Sequence, residues 1–189
     1  MRRLILEEWI SLDGHVADRE GKLEFFRSTV REINAEPVQI KFLETIDCIL
    51  LGRSTYKQFA KLWPQRPIEK EVLARIINQE RKIVFSNTLK KAPWENWTDA
   101  EIASGDPIEA VKHLKSLPGK NIVLWGSISL AQTLMKENLV DELRLHICPC
   151  ITGGGRKLFS ENLNPANLKF LEVRHRESGV VSLVAQLFS

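Results

Sequence analysis

Residues 47–64 read DCILLGRSTYKQFAKLWP. The first six, Asp47–Gly52, are a short apolar run of the kind that forms a buried strand. Arg53 leaves that run, Ser54–Thr55 opens a helix to about Leu62, and Pro64 stops it. A strand that passes into a helix through a small polar turn is a unit of an α/β sheet. The unit recurs downstream at VFSNT (84–88) and LWGSIS (124–129).

The remaining segments alternate in the same way. Residues 3–12 (RLILEEWISL) read as a first strand, ended by the turn pair Asp13–Gly14. Residues 24–45 read as helix, broken or bent near Pro37. Residues 67–79 read as a helix with proline at its start. Residues 82–87 and 121–126 read as strands. Asp106–Pro107 caps a helix that runs to about Ser116. Residues 128–138 read as helix and 141–148 as strand. LKFLEVRHRES (168–178) and VVSLVAQLFS (180–189) read as a closing hairpin around Gly179. The alternation predicts an α/β fold: a mostly parallel sheet, antiparallel at its C-terminal part, with helices on both faces. Residues 1–189 read as one domain, without a repeat or linker.

Composition narrows the function. Lysine and arginine exceed aspartate and glutamate by three, with no long basic block, which argues against nucleic acid as a partner. No run of 18 apolar residues exists, so no membrane span is expected. Glu7 and Glu8 interrupt the N-terminal apolar stretch, and no signal-peptide cleavage site follows it. Cys48, Cys148 and Cys150 are few and odd in number, which fits a reducing cytoplasm. His146, Cys148 and Cys150 alternate like metal ligands, but Pro149 breaks the strand and no fourth ligand is evident, so they read as structural.

The three strand-to-helix turns carry the chemistry. Ligands of open α/β sheets bind outside the carboxyl ends of the strands, where helix N-termini present unpaired N–H groups to phosphate. Gly52 and Gly126 allow close backbone approach, Arg53 adds a forked cation, and Ser54, Thr55, Ser127 and Ser129 add hydroxyl donors. The same residues also serve as ordinary turn and cap residues, and no G-x-G-x-x-G follows a strand. Gly153–Gly155 reads as a plain tight turn.

At these turns the sequence resembles the dihydrofolate-reductase-like family. That family includes the C-terminal reductase domain of the riboflavin-biosynthesis deaminase-reductase and stand-alone bacterial members. The resemblance rests on EWISLDG (8–14), the stretch 47–64 quoted above, KIVFSNTL (82–89), GSISLAQTL (126–134) with LVDELRL (139–145), and PCITGGGRKLF (149–159). It implies a single-domain reductase fold, NADPH as cofactor, a small heterocyclic substrate of pteridine or ribosylaminopyrimidine type, and a homodimer. It also implies that Gly52, Arg53, Ser54 and Thr55 hold the pyrophosphate from one side and Gly126, Ser127, Ile128 and Ser129 from the other. The resemblance likewise implies that Ser86 and Asn87 lie near the adenosine ribose and its extra phosphate. Many relatives carry arginine where Asn87 stands; Arg53, Lys90 or Lys91 are the cations able to replace it. No zinc-deaminase segment H-x-E…P-C-x-x-C is present.

Reduction also needs a proton. By resemblance, Ser11–Ala17 forms a lid over the nicotinamide. Glu8, a carboxylate inside an apolar strand, and Asp13, at the strand's exit, are the candidate catalytic residues; a sheet-face ion pair and a turn cap are their bland alternatives. His15 reads as a solvated loop residue, and Trp94 and Trp97 as cover for a pocket or an interface. The rival reading of the chain is a nucleotide-binding sensor on the same fold that has lost turnover.

Overall fold

The computed structural model describes residues 1–25, 36–164 and 166–188. Of the helix expected over 24–45, residues 26–35 lie outside them; within the described part α1 spans Pro37–Leu43. The strands are β1 (Leu4–Ser11), β2 (His15–Ala17), β3 (Ile46–Gly52), β4 (Arg81–Phe85), β5 (Glu101–Ala103), β6 (Asn121–Trp125), β7 (Glu142–Cys148), β8 (Arg156–Lys157), β9 (Asn167–His175) and β10 (Val181–Phe188). The other helices are α2 (Arg53–Leu62), α3 (Val72–Gln79), α4 (Pro107–Ser116) and α5 (Ile128–Lys136).

Eight strands form one sheet in the order β5-β4-β3-β6-β1-β7-β10-β9. Every pairing from β5 to β7 is parallel, and β10 runs antiparallel to both β7 and β9. The expected α/β fold, with its antiparallel C-terminal part, is what the chain forms. Strand side chains alternate between two cores, as a period of two requires. Leu4, Leu6, Cys48, Leu50, Ile122 and Leu124 pack under α4 and α5. Ile5, Ile49, Leu51, Val84, Val123 and Trp125 pack under α1, α2 and α3. The parallel register brings the carboxyl ends of β1, β3, β4 and β6 to one edge, where α2 and α5 begin.

Three readings change. Residues 67–71 form turns rather than the first part of a helix: Lys70 and Glu71 N–H groups both return to the Pro67 carbonyl, and Glu71 is extended (φ −124°). Trp94 covers nothing; it is wholly buried, with its indole N–H on Asn78 Oδ1 at 2.7 Å. His15 is not solvated but 6% exposed, its Nδ1 3.2 Å from Asp13 Oδ2. Among the described residues, no helix is long and apolar enough to cross a membrane.

Candidate functional site

The first two turns interlock. The Gly52 N–H donates to Ser127 Oγ at 2.5 Å, and Ser127 Oγ donates to Thr55 Oγ1 at 3.0 Å. This requires Gly126 and Ser127 in the left-handed region, at φ 59° and 63°. A Cβ on Gly126 would meet Thr55 Oγ1 at 2.7 Å and Cγ2 at 2.9 Å, and one on Gly52 would meet Ser127 Oγ at 3.0 Å. Both glycines therefore serve the approach of one turn to the other. The N-terminal turns of α2 and α5 are thereby held side by side. Neither N-cap side chain bonds its own helix, and neither first turn carries an acidic residue. Two uncapped helix starts with no competing anion suit a pyrophosphate.

The third turn stands beside α2. Ser86 Oγ accepts from the Leu89 N–H at 3.1 Å, and Asn87 Oδ1 accepts from the Gly105 N–H at 2.9 Å. The carbonyl of Asn87 is thus spent on fixing the turn, and its amide group remains as a donor. Arg53 leans toward the same turn, donating from Nη1 to Thr88 Oγ1 at 3.2 Å. Lys90 and Lys91 are exposed. Arg53 thus reaches from α2 to the turn to which Asn87 belongs.

β1 delivers two adjacent carboxyls to opposite faces, and their surroundings separate them. Burial raises Glu7, but the hydrogen bond and charge of His146, the charge of Arg144 and the Trp125 N–H outweigh it, so its carboxyl lies below the ordinary value. Its donors are Gln39 Nε2 at 2.7 Å and Trp125 Nε1 at 2.7 Å, with His146 Nε2 at 3.2 Å. Charges continue from it as a ladder: Arg144 Nε is 4.0 Å from Glu7, Arg144 Nη1 3.4 Å from Glu142, and Arg3 Nη2 2.9 Å from Glu142. On its other side His146 Nδ1 is 2.9 Å from Ser182 Oγ.

Glu8 faces α5 and is 8% exposed. Burial, and then the charge of Glu7, push its carboxyl up to about 8, against the Gly126 and Trp9 N–H groups and the charge of Arg156. It is neutral at physiological pH, and its Oε1 is buried with no hydrogen-bond partner.

Asp13 has the opposite environment. The Ser11 hydroxyl at 2.6 Å, and the Thr152 and Gly153 N–H groups at 3.1 and 2.9 Å, hold it well below the usual carboxylate range. It clips the segment after β1 to the glycine turn 153–155. β2 pairs with β8 in the same clip, and Arg19 Nη2 donates to the Gly153 carbonyl at 2.6 Å. Gly155 sits at φ 124°, where a Cβ would collide with the Ala17 carbonyl oxygen. The segment expected as a lid is fastened at several points. Sequence reasoning missed this clip and the residue it carries, Arg156, whose signal was only the G-G-G-R run.

A parallel sheet with an antiparallel end, and two interlocked strand-to-helix turns at its carboxyl edge, set the α/β class of the chain. The model of the RibD C-terminal domain matches residues 2–182, and the chain belongs to that family. It is 32% identical over 185 residues to the protein YyaP of Bacillus subtilis (strain 168), covering 97% of this chain and 94% of YyaP. A Shewanella sp. PV-4 protein ascribed to riboflavin biosynthesis superposes with TM-score 0.79 at 21% identity, over 99% of both chains. Dihydrofolate reductase of Enterococcus faecalis, solved with NADP(H), superposes with TM-score 0.60 at 14% identity, over 99% of this chain and 97% of that one. The fold is dihydrofolate-reductase-like.

The Glu8 carboxyl makes stability depend on pH. Its value in the folded protein lies above its ordinary 4.5, so its contribution is complete below that value and is lost as pH rises toward about 8. Glu8→Gln, which keeps the shape without the charge, is expected to gain on the parent by roughly 2–4 kcal/mol above pH 8 and little in mild acid. Urea unfolding of both proteins across that range checks it; a gap that does not widen with pH would show that Glu8 is not held neutral.

Proposed function

We propose that the protein is a cytoplasmic NADPH-dependent reductase of a small heterocycle of pteridine or ribosylaminopyrimidine type. The observation that carries this reading is the interlock of Gly52–Thr55 with Gly126–Ser129, in a chain of the RibD C-terminal domain family. A nicotinamide dinucleotide, when bound, supplies the hydride. Gly52, Arg53, Ser54 and Thr55 would hold its pyrophosphate from one side and Gly126, Ser127, Ile128 and Ser129 from the other. Ser86 and Asn87 would lie at the adenosine ribose, with Arg53 supplying charge there. Three free cysteines agree with a reducing compartment.

Glu8 is the acid of the site in this reading, because a group neutral near pH 7 can give up a proton. Asp13, ionised and fully engaged, contributes by fixing the loop against β1. Oxidation of NADPH in the presence of a panel of pterins and ribosylaminopyrimidines tests the function directly. Turnover is expected to fall as pH rises through about 8, where Glu8 ionises. Glu8→Gln should lower kcat by roughly 10²–10⁴-fold. No turnover with any member of the panel would overturn the substrate class.

The charge of Arg53 leads to a second expectation. Arg53→Ala should weaken NADPH by roughly 10–100-fold and NADH by less, because NADH lacks the phosphate that the Ser86–Thr88 turn would meet. Calorimetric titration with each cofactor checks it; equal losses for the two would show that Arg53 serves the pyrophosphate alone.

We also propose a homodimer through β9. Its neighbour β10 packs into the sheet, but Phe170 is 61% exposed, Val173 59% and Leu168 43%, an apolar row on an edge strand. Uncovered edges of this kind are an aggregation hazard. Light scattering should give a dimer mass for the parent and a monomer mass for Phe170→Asp combined with Val173→Asp. A monomeric parent at micromolar concentration would rule the dimer out.

A further inference from the structure

Arg156 stands where a cation is out of place. Its Nη2 donates to Ser129 Oγ at 2.6 Å, and Ser129 is the second residue of α5. A helix start carries positive partial charge, so a guanidinium there is repelled unless an anion joins them. No carboxylate among the described residues does so: Arg156 forms no ion pair, and the first turn of α5 has no acidic residue. The nearby carboxyl, Glu8, is more than nine-tenths buried and carries an unpartnered Oε1. Its neutrality at physiological pH means that it does not balance the guanidinium.

The arginine is also held in position. β8 pairs with β2 through His15↔Lys157 and Ala17↔Arg156. On the α5 side, Gln132 Nε2 donates to the Lys157 and Leu158 carbonyls at 3.0 and 3.2 Å. The side chain itself is exposed and faces the edge to which the Gly126–Ser129 turn belongs. The guanidinium meets the uncapped start of α5 at Ser129, and the buried Glu8, which accepts from the Gly126 N–H and feels the charge of Arg156, keeps a spare oxygen beside them.

We propose that Arg156 is a phosphate-binding residue of the dinucleotide site, gripping the pyrophosphate at the start of α5 from the side of the glycine turn. This assignment rests on the nicotinamide-dinucleotide reading above. It gives the clip of β2, β8 and Asp13 a purpose: it carries a forked donor to the bound anion. Because NADPH and NADH share the pyrophosphate, Arg156 acts on both alike, whereas Arg53 distinguishes them.

The test is equilibrium titration, by calorimetry or tryptophan fluorescence, of the parent, Arg156→Gln, Arg156→Lys and Arg53→Ala with NADPH and with NADH. Arg156 is exposed, so the thermal unfolding midpoint of Arg156→Gln should match the parent's. Arg156→Gln should weaken both nucleotides by the same factor, roughly 10–100-fold, with a smaller salt dependence of binding. Arg156→Lys should recover part of the loss, since it keeps the charge but not the fork. A parent that binds both nucleotides while Arg156→Gln binds them equally well overturns the assignment alone. So does a loss confined to NADPH. A parent that binds neither nucleotide overturns the cofactor reading and this assignment with it.

Discussion

One hydroxyl, that of Ser127, ties the ends of β3 and β6 together. It accepts from the Gly52 N–H, donates to Thr55, and sits on a residue at φ 63°. A non-glycine residue in that conformation costs about 1–2 kcal/mol, which the two hydrogen bonds offset. Because the hydroxyl spans both turns, α2 and α5 start side by side. They lie together at the carboxyl edge of the sheet, where β1 and β4 also end.

The alternation of a strand explains why two neighbouring glutamates differ. Glu7 points to the face of α1, where Gln39, Trp125 and His146 meet its carboxyl and keep it charged. Glu8 points to the face of α5, where apolar packing dominates and one oxygen finds no donor. The charge on Glu7 then adds to the burial of Glu8 and keeps its proton in place. One residue of displacement along β1 thus separates a structural anion from a neutral acid.

The turns after β3, β4 and β6 were legible because each is local: an apolar run, a small residue, then a helical period. The sheet class followed from the order of such units, and the antiparallel end from the hairpin around Gly179. The β2–β8 clip was not legible, since strands of three and two residues carry no periodicity and their partners lie about 140 residues apart in the chain. For the same reason His15 read as solvated. Trp94 sits in the polar stretch KKAPWEN (90–96), and it is the distant Asn78 that accepts its buried indole N–H. Glu71 shows the limit of composition: a helix-forming residue adopts an extended conformation because the Pro67 turn precedes it. Arg156 was hidden by its own context, since a glycine run reads as a turn whatever its last residue does.

The ladder Arg3–Glu142–Arg144–Glu7–His146 has a consequence for how such a sequence can drift. Each inner member neighbours two others in a poorly solvated layer, so removing one leaves a largely buried charge without its partner. Single replacements along it are therefore barred far more strongly than exchanges of the whole set for apolar residues of similar volume. Descendants of this chain should keep all of these rungs or lose them together, so that the face under α1 is inherited as a block while the surface around it changes residue by residue.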